Sequence, residues 1–426
     1  MLKIFKKLNQ RKPASEEAPV ESQPTAHQAD FVDVRQLIKN LSVEELNESA
    51  EEYFAQLESW EHHLAKPFAD VIETPELLVS FAHLLQGLIL SPGMSVLDFG
   101  AGSCWSSHLL TQLGCEVTAL DVSETALKIG RELYRRRPVF GNQPEPRFLR
   151  FDGHSFDLPD ESMDRVLCMD AFHHVANTGQ VLKEMARVLK EGGIAAFSEP
   201  GPNHSRTPQA QYEMRMNRVI ENDIDVREIW KMASAAGFTD MKLSIFSPKI
   251  FLLSPDEFDE FMNEDGTGAR YASETRAFMQ HHRIFFLHKG EAQALDSRQR
   301  SGLSAEISVI LNSRQTKEGE PLVAQVTVKN VGTSIWLPTS SPKGPVHLGT
   351  HLLSADGFLI NRDYSRHHLT PGEGRPVQPG ESVSLEARVP APPKGKYMLE
   401  FDLVSEYVCW FENNGSAVVR MEIEVA

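Results

Sequence analysis

The chain has 426 residues, room for two or three domains, and its 41% apolar and 24% charged content can build real cores. A formal net charge of −16 repels phosphate backbones and excludes a general nucleic-acid binder. No apolar run reaches the ~18–20 residues of a membrane span, and Cys104, Cys115, Cys168 and Cys409 lack C-x-x-C spacing, so a reducing cytoplasm without a disulfide framework or structural zinc fits.

In chain order, Met1 to Leu8 mixes five apolar residues with three lysines and lacks the apolar core of a signal peptide. Residues 1–30 are expected to be a disordered basic and polar segment, with at most a weak peripheral membrane contact through residues 1–12. Residues 31–90 read as N-terminal helices. Ser42-Val-Glu-Glu45 has capping-box spacing, and apolar positions at 77, 78, 81, 84, 85 and 88 predict a helix over about 75–90.

The period then changes. Strands are predicted at 95–99, 116–121, 147–151, 164–169, 193–198, 241–246 and 283–288. Helices are predicted over about 105–113, from 124, over 178–189 (closed by Gly192-Gly193), over 209–222 and over 225–236. This alternation describes an α/β domain over 91–290, a mostly parallel sheet with helices on both faces. Residues 291–304 are polar and aperiodic, and read as a linker. Over 305–426 apolar residues alternate with period two, between turn signals at Asp356-Gly357, Pro371-Gly372, Pro379-Gly380 and Asn414-Gly415. About seven short antiparallel strands, and thus an all-β sandwich, are expected there.

Val96-Leu-Asp-Phe-Gly-Ala-Gly102 puts a glycine turn at the carboxyl end of the first strand, feeding a helix; ligands of parallel sheets bind there. Trp105 stands where a dinucleotide fingerprint has its third glycine. Asp98, two positions before the first, attracts an ammonium group and repels a pyrophosphate, so a cationic nucleoside is expected rather than NAD. Asp121 ends the second strand, placed to accept bonds from ribose hydroxyls. Asp152-Gly153 follows the third strand and Asp170 the fourth, so four acidic residues at successive strand ends describe a cofactor crevice.

With Ala119-Leu-Asp-Val122, Asp164-Arg-Val-Leu-Cys-Met-Asp-Ala-Phe-His-His-Val175 and Val188-Leu-Lys-Glu-Gly-Gly193, this series resembles the class I S-adenosylmethionine-dependent methyltransferases over about residues 75–290. The resemblance implies a Rossmann-like sheet of seven strands, the last antiparallel, and S-adenosyl-L-methionine as cofactor. It places Asp98, Gly100, Ala101 and Gly102 beside the methionine moiety, Asp121 and Val122 at the ribose, and Asp152 and Gly153 at the adenine. Asp170 and Phe172 complete the cofactor set. Ser103-Cys104-Trp105 departs from the family, where many members keep a further glycine.

Methyl transfer is in-line displacement from a sulfonium, so positioning dominates and a base is needed only for a poorly acidic acceptor. His173 and His174 are candidate bases, and His204 and Glu199 are expected at the crevice rim. No metal is expected, since adjacent pairs such as His62-His63, His281-His282 and His367-His368 point in different directions.

Asn330-Val-Gly-Thr-Ser-Ile-Trp336, Val346-His-Leu-Gly349, Gly395-Lys-Tyr-Met-Leu-Glu-Phe-Asp-Leu403 and Trp410-Phe411 resemble the immunoglobulin-like sandwiches appended to bacterial enzymes and transporters of surface polysaccharides. That implies sugar stacking on Trp336, Tyr407 or Trp410, with Arg366 or His351 at hydroxyls; the alternatives are tryptophans filling a core, or dimerisation. The expected function is O-methylation of a small molecule or a saccharide recruited by the sandwich. The alternatives are a catalytically inert cofactor sensor or scaffold, and a nicotinamide oxidoreductase, which Asp98 and Trp105 oppose.

Overall fold

Parallel neighbours need crossover connections, and here the crossovers are the amphipathic helices between short apolar strands. The computed structural model describes residues 31–141, 143–247, 249–263, 267–291, 295–369 and 374–426. Residues 1–30, with the disorder and membrane contact expected of them, lie outside the described residues, as does Pro371-Gly372. Among the described residues no helix is long and apolar enough to cross a membrane.

Four helices come first: α1 (Val34–Asn40), α2 (Val43–Ala55), α3 (Glu61–Ala65) and α4 (Glu73–Leu88). The capping box forms as its spacing requires: Glu45 N donates to Ser42 Oγ (3.2 Å), and Ser42 N donates to Glu45 Oε2 (2.8 Å). The α/β part follows as β1 (Ser95–Phe99), α5 (Trp105–Gln112), β2 (Glu116–Asp121), α6 (Glu124–Arg136), β3 (Arg147–Arg150), β4 (Met163–Met169), α7 (Thr178–Val188) and β5 (Leu189–Pro200). It continues through α8 (Pro208–Met216), α9 (Val226–Ala236), β6 (Asp240–Ser244), α10 (Pro255–Met262), α11 (Thr267–Phe278) and β7 (His282–His288).

The strand order is β3-β2-β1-β4-β5-β7-β6, parallel except that β7 runs antiparallel to both its neighbours. Period-two alternation sends Leu97 and Phe99 of β1 to one face, where they meet Val181, Leu182 and Met185 of α7. Val96 faces the other way, against Leu84 and Leu88 of α4 and Leu110 of α5. Each such fully buried side chain contributes about 1.5–3 kcal/mol, which is why the sheet is covered on both sides.

Two expected boundaries moved. Gly192-Gly193 does not close α7, which ends at Val188, where Leu189 turns directly into β5. The register jumps from Met163↔Leu189 to Arg165↔Ile194, so the glycines bulge inside the strand, Gly192 at φ 74°. Helix α8 stops at Met216 rather than 222, because Arg218 turns left-handed at φ 54°, and the chain beyond it runs into the crevice.

The expected linker is tied down where it is described. Ser297 is buried and its N donates to Ile335 O (2.8 Å), while Arg298 Nη1 reaches Pro92 O (3.0 Å) and Gln299 Nε2 reaches Ile89 O (2.9 Å). Beyond it come β8 (Ala305–Leu311), β9 (Gln315–Thr316), β10 (Leu322–Asn330), β11 (Val346–Ser354), β12 (Leu359–His368), β13 (Ser382–Val389), β14 (Gly395–Ser405), β15 (Cys409–Trp410) and β16 (Val419–Val425). They form a three-stranded sheet, β13-β10-β8, and a second sheet, β12-β11-β14-β16-β9, with β15 on β14. Both contribute to one core, Ala324 and Val326 from the first meeting Leu348, Phe401 and Leu403 from the second. Trp336 belongs to that core: it is fully buried, edge-on to Phe411 at 5.5 Å.

Candidate functional site

The carboxyl ends of β1, β2 and β4 open into a cavity of about 670 Å³. One wall is the glycine turn. Gly100 sits at φ 66°, where a side chain is strained, and a Cβ there would fall 2.3 Å from Ala171 Cβ. Gly102 N donates to Asp121 Oδ2 and Ser123 N to Asp121 Oδ1, both at 2.8 Å, so Asp121 ties the turn to the end of β2. Each oxygen keeps a second lone pair for a ligand hydroxyl. Burial pushes this carboxyl up to about 6, against the backbone donors.

The roof is α2. Asn47 Nδ2 donates to Asp152 O (2.8 Å), and Glu51 accepts from Ser123 Oγ (2.6 Å) and Thr125 Oγ1 (2.5 Å). Its Val43, Leu46, Ala50, Tyr53 and Phe54 line the cavity. Helix α6 approaches the turn closely because Gly130 has no side chain; a Cβ there would lie 2.4 Å from Cys104 Sγ. The close approach expected of a third glycine is thus supplied from the neighbouring helix. Trp105 packs on Phe81 at 5.4 Å and forms part of the wall.

The opposite wall is a histidine–glutamate cluster. After β4 the chain makes a short 3-10 turn, Phe172–His174, whose free N–H groups need an acceptor. Glu199, fully buried in β5, accepts from the backbone N of Ala171 (3.1 Å), Phe172 (2.8 Å) and His173 (3.2 Å), and bonds His173 Nδ1 at 2.7 Å. Removing it would strand buried donors at about 1–3 kcal/mol each. Glu221 lies 2.6 Å from His204 Nε2, 3.7 Å from His173 Nε2 and 3.8 Å from His174 Nδ1. The His173 and His174 rings are 3.9 Å apart, and those of His173 and His204 5.2 Å.

Electrostatics separates these groups. Burial disfavours the His173 imidazolium, but the Glu199 bond and charge, with Glu221 and Asp170, outweigh it and raise its pKa. Burial, then the His173 charge, lowers His174 to about 4. Glu199 is buried too, yet its bond to His173 and its backbone donors hold it below the ordinary value. Because Nδ1 faces a carboxylate, His173 presents Nε2 for proton exchange.

Gly100, Ala101, Gly102, Asp121, Val122, Gly153 and Asp170 all line the cavity, with His173, His174 and His204. Asp170 faces it at the end of β4; burial, then the Glu199 charge, pushes it up to about 6. Three of the expected residues are not among those that line the cavity. Asp98 is buried behind the cavity-lining Ser106 and accepts from Ser106 Oγ (2.7 Å) and Ser107 Oγ (2.5 Å), fixing the start of α5. Asp152 closes a local turn by accepting from His154 N (2.7 Å) and Ser155 N (2.9 Å). Phe172 is core, packed on Phe197 at 5.1 Å. Glu199, expected at the rim, is fully buried.

Glu221, Asn47 and Glu51 were missed, since a single polar residue in a loop or on a helix face carries no periodic signal. No metal was expected, yet His173, His174 and Glu221 each place one ligand atom within 4.8 Å of the others.

Residues 97–197 match the family model described as a methyltransferase domain. The chain is 36% identical over 134 residues to a demethylmenaquinone methyltransferase of Renibacterium salmoninarum, covering 31% of this chain and 53% of that one. It is 30% identical over 148 residues to the ubiquinone/menaquinone biosynthesis C-methyltransferase UbiE of a Shewanella species, covering 32% and 57%. It therefore spans about half the length of the curated relatives it matches. Among solved structures, an S-adenosylmethionine dependent methyltransferase from Mesorhizobium loti aligns with TM-score 0.37 and 17% identity, over 49% of this chain and 98% of that one.

Proposed function

Residues 97–197 carry a methyltransferase domain, and from that premise we propose that the whole chain methylates a small acceptor using S-adenosylmethionine. One observation carries this reading: a single cavity joins a glycine turn braced by Asp121 to a histidine held by a buried glutamate. The residues suit the cofactor. Gly100 and Gly102 admit a ligand against the backbone, and Asp121 keeps lone pairs for a ribose. When bound, S-adenosylmethionine supplies a methyl group activated on a sulfonium.

The chain's own part is orientation and proton transfer. His173 takes the acceptor's proton at Nε2, and Glu199 fixes its ring and stabilises the resulting imidazolium. Glu221 and His204 sit where that proton can move on. Helix α2 limits water over the cavity. A base in this position favours an acceptor with an ionisable hydroxyl, and so transfer to oxygen, whereas the Shewanella relative is named a C-methyltransferase. We read residues 305–426 as an immunoglobulin-like sandwich that recruits such an acceptor, a saccharide among them. The exposed ring of Tyr407 offers a stacking surface; Trp336, inside the core, does not. The four cysteines are free, in keeping with a cytoplasmic setting.

Incubating the full chain with radiolabelled methyl donor and fractionated host extract tests the reading. Label in a hydroxyl-bearing small molecule, with release of S-adenosylhomocysteine, supports it. Donor binding without transfer to any fraction would return the chain to a cofactor sensor, and thermal stabilisation by NADH alone would end the methyltransferase reading.

A further inference from the structure

We propose that the C-terminal β region binds a divalent transition-metal ion of the zinc class through His351 Nε2 and the carboxylates of Asp402 and Glu412. His351 lies on β11 and Asp402 on β14, next to it. Phe401 and Leu403 point into the core, so period two turns Asp402 to the other face of the sheet. Glu412 belongs to a 3-10 turn, Phe411–Asn414, held to that face by the bond from Glu412 N to Asp402 Oδ2 (3.0 Å). One ligand atom from each of the three lies within 4.8 Å of the others.

The histidine argues for the ion. His351 is 2% exposed, and its Nδ1 bonds the carbonyl of Arg362. A carbonyl only accepts, so Nδ1 carries the proton and Nε2 is left with a lone pair. That Nε2 is buried and has no hydrogen-bond partner. Metal-ligating histidines have this arrangement, the far nitrogen donating to a carbonyl or carboxylate while the near one faces the ion.

The carboxylates are oriented in the same way. Asp402 Oδ1 accepts from Leu403 N (2.7 Å), and Arg362 Nη2 donates to Glu412 Oε1 (3.1 Å). Asp402 is fully buried, where a carboxylate calls for a cation or a full set of donors. The Trp410 ring lies tilted against His351, centroids 4.1 Å apart, with the Arg366 guanidinium 4.2 Å from the indole centroid. One imidazole with two carboxylates suits zinc and its neighbours. The ion would pin the turn that follows Trp410 onto β14.

The full chain, stripped with a chelator, is titrated with Zn²⁺ and Co²⁺; bound metal is counted by mass spectrometry, and the visible Co²⁺ spectrum reports the ligand set. Wild type is expected to take up an equivalent that His351→Ala loses. Glu412→Gln, at a half-exposed position that spares the fold, weakens the same equivalent about tenfold or more. His174→Ala, which breaks the cavity group, leaves it in place. The proposal is overturned if stripped wild type binds no metal, or if the equivalent survives His351→Ala and Glu412→Gln and disappears in His174→Ala.

Discussion

The two walls of the cavity solve different problems. On the glycine side the determinants are steric and main-chain: a residue without a side chain beside Ala171, and a carboxylate holding two backbone N–H groups. On the histidine side every determinant titrates, and each group sets the charge of the next; Glu199 raises His173, which in turn lowers His174. On the proposed reading the first wall binds and the second moves a proton. Damage to the first should therefore appear in affinity, and damage to the second in turnover and its pH dependence.

The sharpest break is His173→Ala. Turnover should fall about 10²–10⁴-fold while calorimetric affinity for S-adenosylhomocysteine stays as it was. Equal losses in both would merge the two walls into one binding site. Next comes Asp121→Ala on the glycine side, expected to weaken cofactor binding by about 1–3 kcal/mol, since it removes ribose acceptors and frees Gly102 N. An unchanged isotherm would take Asp121 out of the site.

The pH profile sharpens the comparison further. A base must be neutral to act, so turnover should climb as pH rises through the elevated His173 pKa, above 6.5. Glu221→Gln removes a negative charge that favours the imidazolium, and should move that limb to lower pH by up to about one unit. A limb that stays in place would detach Glu221 from the base. Stability follows the same sign. The raised His173 pKa contributes stability fully present below pH 6.5 and lost as pH rises through its folded value. Chemical denaturation should thus find the wild-type advantage over His173→Ala larger at pH 6 than at pH 8. The smallest effect is expected at the roof: Asn47→Ala breaks the bond to Asp152 O and should loosen cofactor binding by about 0.5–1 kcal/mol with turnover at saturation preserved.

Much of the glycine wall was legible because its logic is local. The period change at Ser95, the paired glycines and an acidic residue ending β2 all fall within the reach of pattern and turn chemistry. Even there, Asp98 and Asp121 read alike as acidic residues at strand ends. Asp121 lines the cavity, while Asp98 turns inward to two serines at the start of α5. The histidine wall was half legible. His173, His174 and His204 stood out by type, but Glu199 looked like a rim residue and Glu221 like ordinary loop text. Both acquire meaning only when β5 and the segment after α8 are laid beside the turn following β4.

The sequence by itself determined the strands of the first sheet, its mostly parallel run and the place of the crevice, since capping, apolar period and glycine conformation act over a few residues. Tertiary structure decided which carboxylates face that crevice, that α2 roofs it, and that Trp336 fills a core while Trp410 packs against His351. Those outcomes depend on strand register and on contacts between distant segments, and a one-residue change of register reverses the face on which a side chain lies.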